Sequence, residues 1–210
     1  MSQFMNRDGK FIVEDLIRII QENAAYLDDM DGVTGDGDHG INMNKGFTLC
    51  AEELAGEDLS FSSSLEILGQ MFAIEVHDIA GPLYGAFFLE MALAARNTRV
   101  IDKDVFGKML ETALGGVQDI GCAKLGDKTI LDTLIPAVEA YNKSKDLGFR
   151  IALMEMSRAA EKGKESTRDM VDKDGRASRF GEKSRGYLDP GATSCWLILE
   201  SLADSILSVI

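Results

Sequence analysis

Residues 27–40 hold five aspartates, Asp28, Asp29, Asp31, Asp36 and Asp38, and no lysine or arginine. Carboxylates this close repel one another, and a bound cation or shared protons relieve them. Oxygen ligands without cysteine select a hard ion, Mg²⁺, Mn²⁺ or Ca²⁺, over zinc. Gly35, Gly37 and Gly40 interleave with the acids. They let the backbone turn sharply enough for Asp36 and Asp38 to face one centre, with Asp31 closing it from the preceding helix. A second reading stays open, in which the same aspartates cap helix N-termini. Two familiar motifs are excluded. Gly35 to Gly40 fits GxGxxG formally, but a helix precedes it instead of a strand, and its carboxylates would repel a pyrophosphate. An EF-hand frame from Asp36 fails, because Ile41 and Phe47 stand where glycine and glutamate are needed.

Three further glycine-bearing segments stand at predicted helix ends. Ala80-Gly81-Pro82-Leu83-Tyr84-Gly85 opens a helix, whose free N–H groups and positive dipole end suit a phosphate. Gly121 to Thr129, ending Gly126-Asp127-Lys128-Thr129, opens another. Gly175-Arg176-Ala177-Ser178 precedes Asp189-Pro190-Gly191-Ala192, and Arg176 is suited to a bidentate phosphate contact. Taken singly, each also reads as an ordinary cap or loop. Taken together, they read as metal–phosphate binding at one end of a helical bundle. Of the two histidines, His39 and His77, the first sits beside the acidic pair and is the better candidate. No Walker A sequence and no Ser–His–Asp or Cys–His arrangement is present.

The elements that must position these groups are helical. Apolar residues recur at helical spacing over roughly 10–28, 42–54, 82–97, 103–120, 128–142, 148–166 and 190–208. A further helix is capped by Ser62 or Ser63 and carries Leu65, Leu68, Met71 and Phe72. A kink is expected at Pro136. That gives eight helices, no confident strand, and mostly short connections that favour antiparallel neighbours. Residues 167–189 break the pattern as a long polar segment. Residues 161–187 carry eight basic against six acidic residues, which suggests either a solvated loop or a lid that meets an anion.

The chain has 210 residues and a net charge of −13, with 45% apolar and 27% charged residues. This composition predicts one globular domain over 1–210 and excludes a disordered chain. The negative balance argues against nucleic acid or an anionic membrane surface as partner. No apolar run approaches a bilayer span, and the polar Met1–Lys10 has no signal-peptide core. Cys50, Cys122 and Cys195, odd in number and widely spaced, are expected as buried thiols in a reducing cytoplasm.

The quoted motifs, in this order, resemble the nucleotide-binding L subunit (DhaL type) of the dihydroxyacetone kinase family, essentially end to end. The resemblance implies an all-α, antiparallel eight-helix barrel that holds ADP or ATP at one end. It implies two Mg²⁺ ions bound by Asp31, Asp36 and Asp38. His39, Gly40, Ile41 and Asn42, with Ile79, Ala80, Gly121 and Ile130, would line the nucleotide, and Arg176, Asp189 and Gly191 would close over it. It further implies a separate K-type subunit that holds the hydroxyketone through its own histidine. A phosphotransferase-system protein fed from phosphoenolpyruvate would recharge the nucleotide. A homodimer is left open. One departure stands out. The family's Gly-Gly-x-Ser-Gly is replaced by His77-Asp78-Ile79-Ala80-Gly81. Two glycines and a phosphate-facing hydroxyl are lost, and a carboxylate is added. A second function therefore stays in view: a catalytically weak, nucleotide-charged binding partner, or a kinase for another ketose.

Overall fold

The computed structural model describes residues 2–173 and 176–210, and for residues 176 and 177 the backbone only. Eight α-helices carry the chain: α1 (Lys10–Thr34), α2 (His39–Leu54), α3 (Phe61–Glu75), α4 (Ala80–Ala95), α5 (Lys103–Ile120), α6 (Leu131–Ser144), α7 (Phe149–Ser166) and α8 (Pro190–Leu207). Each packs on its sequence neighbours and α1 packs on α8, so the ring closes into a barrel. The α6 helix runs from Leu131 through Pro136 to Ser144 as one element.

The interior follows from the apolar periodicity. Phe47 of α2, Phe72 of α3 and Tyr84, Phe87 and Phe88 of α4 pack as one aromatic cluster with centroids 5.1–6.5 Å apart. Phe106, Tyr141 and Phe149 form a second between α5, α6 and α7. Such pairs add about 0.5–1.5 kcal/mol each beyond their burial.

Up-and-down order has a geometric consequence. The even-numbered helices begin, and the odd-numbered ones end, at one end of the barrel. At the other end the N-terminus is tied down. Phe4–Met5 (β1) pairs antiparallel with Val100–Ile101 (β2), a short ladder that the helical pattern did not announce. Beside it the buried Asn6 side chain donates to Ala95 O (3.1 Å), Thr98 O (2.8 Å) and Ser62 Oγ (3.0 Å), and accepts from Ser62 N. The cap of α3 is Ser60, whose hydroxyl accepts from Ser63 N, and not Ser62 or Ser63. Ser62 is instead occupied by Asn6.

Candidate functional site

The first turn of the open end is built by helix ends that reach further than periodicity suggests. The α1 helix continues to Thr34, because Asp31 O still accepts from Gly35 N. The α2 helix begins already at His39. Its start lies against α1 because Gly40 has no side chain; a Cβ there would stand 1.9 Å from Ala24 O. Gly37 takes φ +77°, the left-handed region glycine adopts at low cost.

The aspartates of the turn do not all play one part. Asp28 is a cap, since its Oδ1 accepts from Ile41 N at 2.9 Å. Asp31 Oδ2 accepts from Gly37 N (2.9 Å) and Asp38 N (3.1 Å), which folds the turn back over α1. Asp38 sits at the start of α2 without capping it. One carboxylate oxygen from each of Asp31, Asp36 and Asp38 lies within 4.8 Å of the others. An all-oxygen set at that spacing fits a hard divalent cation.

Beside this cluster opens a cleft with a cavity of about 190 Å³. Its floor and walls include residues from the N-termini of four helices: His39 of α2, Ala80 of α4, Leu131 of α6 and Pro190–Gly191 of α8. Four positive dipole ends thus point into one space, an arrangement that favours an anion. Asp31 and Asp38 stand on the same wall, so an anion needs cations between it and them. The lining also has an apolar part, with Ile79, Leu83, Val117, Ala123, Ile130 and Leu188. One ligand with a flat apolar part and an anionic part matches both.

Of the residues singled out in the sequence, Asp31, Asp38, His39, Ile79, Ala80, Gly121, Ile130, Asp189 and Gly191 line the cleft. Asp36 joins through the carboxylate cluster. Gly40, Ile41 and Asn42 stand just outside. Gly40 is buried against α1, and Ile41 is 61% exposed. Asn42 Nδ2 lies 3.5 Å from Asp78 Oδ2. Asp78 itself lines the cleft, so the substituted loop adds a further carboxylate to it. Gly175 and the side chain of Arg176 fall outside the described residues. Cys50 and Cys195 are buried as expected, but Cys122 is exposed. It follows α5 in the loop Gly121–Ala123, at the cleft rim and away from the core.

His39 is held from behind. Its Nε2 lies 2.9 Å from Ser194 Oγ, which lies 2.7 Å from the buried Tyr84 hydroxyl. Burial pushes the Tyr84 hydroxyl well above its ordinary value, so it stays protonated. Asp189 caps α8, accepting from Ala192 N at 2.7 Å. Desolvation pushes its carboxyl up to about 7; the Ala192 amide opposes this, Asp172 adds to it, and Lys128 opposes it in turn.

Several cleft residues were not among the candidate site residues, among them Tyr84, Lys128 and Asp172. The buried Asp132 accepts from Gly126 N (2.5 Å) and Thr129 N (2.8 Å) and so shapes the turn before α6. Lys128 has φ +66°, a conformation costing a non-glycine residue about 1–2 kcal/mol. It displaces the start of α6 from the expected 128 to Leu131. The signal available in the sequence was Gly126-Asp127-Lys128-Thr129 itself, which marked the segment and not its burial.

The profile of the DAK2 domain family matches residues 33–204. The chain belongs to the DAK2 domain family. A DAK2 relative, the ADP-binding subunit DhaL of the PEP-dependent dihydroxyacetone kinase of Escherichia coli (strain K12), is 36% identical over 190 residues. That alignment covers 88% of this chain and 90% of that protein. The ADP-binding subunit DhaL of PEP-dependent dihydroxyacetone kinase 2 of Listeria innocua is 32% identical over 200 residues, covering 93% and 92%. Among solved structures, the native dihydroxyacetone kinase of C. freundii superposes with a TM-score of 0.72 at 23% identity, over 93% of this chain. The chain spans 34% of that kinase's length. The same kinase in complex with AMP-PNP and Mg²⁺ gives a TM-score of 0.69 at 22% identity, over 93% of this chain and 33% of that one. At that identity the likeness establishes the all-α fold. Among the described residues, no helix is long and apolar enough to cross a membrane.

Proposed function

We propose that residues 1–210 form the ADP-binding, DhaL-type subunit of a dihydroxyacetone-type kinase. The subunit carries ADP or ATP with two Mg²⁺ ions at the open end of the barrel. It passes a phosphoryl group to a small hydroxyketone held on a separate K-type subunit. A phosphotransferase-system protein, fed from phosphoenolpyruvate, restores the nucleotide. The observation that carries this reading is the meeting of three converging carboxylates with four helix N-termini around one half-apolar cleft. The names of the relatives, which describe ADP-binding subunits of PEP-dependent kinases, support it. So does the Mg²⁺ and AMP-PNP complex of the fold neighbour.

In this mechanism Asp31, Asp36 and Asp38 hold the metal. Bound there, Mg²⁺ neutralises the phosphate oxygens and the charge that develops during phosphoryl transfer. The chain's own residues do the positioning. The N-termini of α2, α4, α6 and α8 direct their dipoles at the phosphates. Gly40, Ile41 and Asn42 support them at the first turn of α2. His39, braced by Ser194 and Tyr84, presents its ring to the same space. Ile79, Ala80, Gly121 and Ile130 line the nucleotide, and Arg176, Asp189 and Gly191 close over it. Positioning plus charge neutralisation is most of what phosphoryl transfer requires.

A second reading rests on Asp78. A further carboxylate in the cleft raises the cation requirement and weakens a direct phosphate contact at Ala80. It favours a nucleotide-charged partner of low turnover, or a different ketose. One reconstitution separates the two. With a K-type subunit, a phosphotransferase donor and phosphoenolpyruvate present, transfer to dihydroxyacetone supports the kinase. Turnover only on another small ketose, or binding of nucleotide and partner without turnover, overturns it in favour of the second reading.

A further inference from the structure

Lys128 is 2% exposed, and its ammonium is enclosed by backbone carbonyls. It donates to Ser184 O and Tyr187 O at 2.7 Å each, and to Met170 O at 3.3 Å. An ammonium has three N–H donors, so all are used. The three acceptors come from both limbs of the long connection between α7 and α8, while Lys128 belongs to the turn before α6. Three carbonyl dipoles aimed at one buried point repel one another unless a cation fills it. The surroundings reinforce the cage. Ser184 Oγ accepts from Asp172 N (2.9 Å) and donates to Gly181 O (2.7 Å). Gly186 N reaches Arg168 O at 2.7 Å.

The cage adjoins the cleft, whose lining includes Lys128 itself. Thr129 and Ile130, which follow Lys128, and Leu188 to Gly191, which follow Tyr187, all line the cleft. The two segments lie side by side: a Cβ on Gly191 would lie 3.7 Å from Ile130 N. We infer that Lys128 is a positioning residue whose buried ammonium ties the α7–α8 connection to the α5–α6 turn and thereby sets the width of the nucleotide cleft. It touches neither phosphate nor metal, because its donors are spent on the chain itself. The inference rests on the nucleotide reading above, and it makes retention of nucleotide depend on a residue outside the phosphate and metal contacts.

The test uses the full chain loaded with Mg²⁺ and ADP. Lys128→Met keeps most of the stem and removes the three donors. ADP should leave the variant at least tenfold faster, while Mn²⁺ affinity at the aspartate cluster, measured without nucleotide, stays within twofold. Hydrogen exchange over residues 184–190 should accelerate in the same variant. A generally loosened fold would weaken Mn²⁺ binding as well, and that result would overturn the inference. An ADP off-rate within twofold of the parent, in a folded Lys128→Met chain, would also overturn it and leave the nucleotide reading standing. Should Lys128→Met fail to fold, Ser184→Ala decides, because it removes only the clasp beneath the cage. A several-fold faster ADP off-rate supports the inference, and an unchanged one overturns it. A parent chain that retains no ADP with Mg²⁺ overturns both readings.

Discussion

The two ends of the barrel solve opposite electrostatic problems with different residues. At the closed end the even-numbered helices finish, and their last carbonyls need donors. Side chains supply them: Lys10 Nζ to Leu54 O and Glu57 O, Asn6 Nδ2 to Ala95 O, and Arg150 to Leu207 O and Ile210 O. At the open end the same helices begin, and their first N–H groups need acceptors. Carboxylates supply those: Asp28 to Ile41 N, Asp78 to Ile79 N and Asp189 to Ala192 N. The closed end satisfies itself. The open end adds a surplus, the converging Asp31, Asp36 and Asp38, which local capping does not require. Stability and ligand binding are thus separated along the barrel axis, and substitutions at the two ends should be separable in experiment.

The largest effect on binding is expected at Asp36, which is exposed and belongs to the carboxylate cluster. Asp36→Ala should weaken Mg-dependent ADP binding on the order of 100-fold, about 2.7 kcal/mol, by calorimetry. Its urea midpoint should barely move, as for most exposed substitutions, within about 0.5 kcal/mol. Asn6→Ala is the mirror experiment at the closed end. It leaves Ala95 O and Ser62 N buried without their partner and should cost about 2–3 kcal/mol of stability in urea, with ADP affinity unchanged. Equal losses of affinity in both variants would erase the distinction between the ends.

Gly40→Ala probes the place where fold and site share a residue. The added methyl meets Ala24 O and should cost about 1–3 kcal/mol while also displacing the first turn of α2. Melting and ADP affinity should fall together here, unlike in the two variants above. The smallest effect is a pH dependence. The Asp189 carboxyl goes from an ordinary value of 3.8 to about 7 on folding. Its contribution to stability is therefore full below about pH 4 and is lost as pH rises through about 7. Asp189→Asn removes this slope. Parent and variant stabilities, followed in urea from acid to neutral pH, should diverge by about 1 kcal/mol, since solvent still reaches part of this mostly buried group.

Much of this was readable from residue order. Eight helical stretches, the acidic turn and the odd connection at 167–189 all announced themselves through apolar period, charge or its interruption. What stayed hidden depended on distant partners. The final turn of α1, Asp31 to Thr34, has no apolar rhythm, and is helical because the turn beyond it bonds back to Asp31. The apolar spacing starts α2 at 42, whereas it begins at His39, and Gly40 is what allows the close approach to α1. Lys128 reads as a surface lysine in a loop. Only the carbonyls of residues 170, 184 and 187, over forty positions away, give it a buried role. The short ladder of Phe4–Met5 with Val100–Ile101 is likewise a product of the closed ring and not of strand propensity.

The most direct test of the account is to titrate ADP into the purified chain with Mg²⁺ present and again after chelation. The account predicts tight binding with the metal and a loss of affinity on the order of 100-fold without it, because bare carboxylates at Asp31, Asp36 and Asp38 repel the phosphates. Equal affinity under both conditions would contradict it.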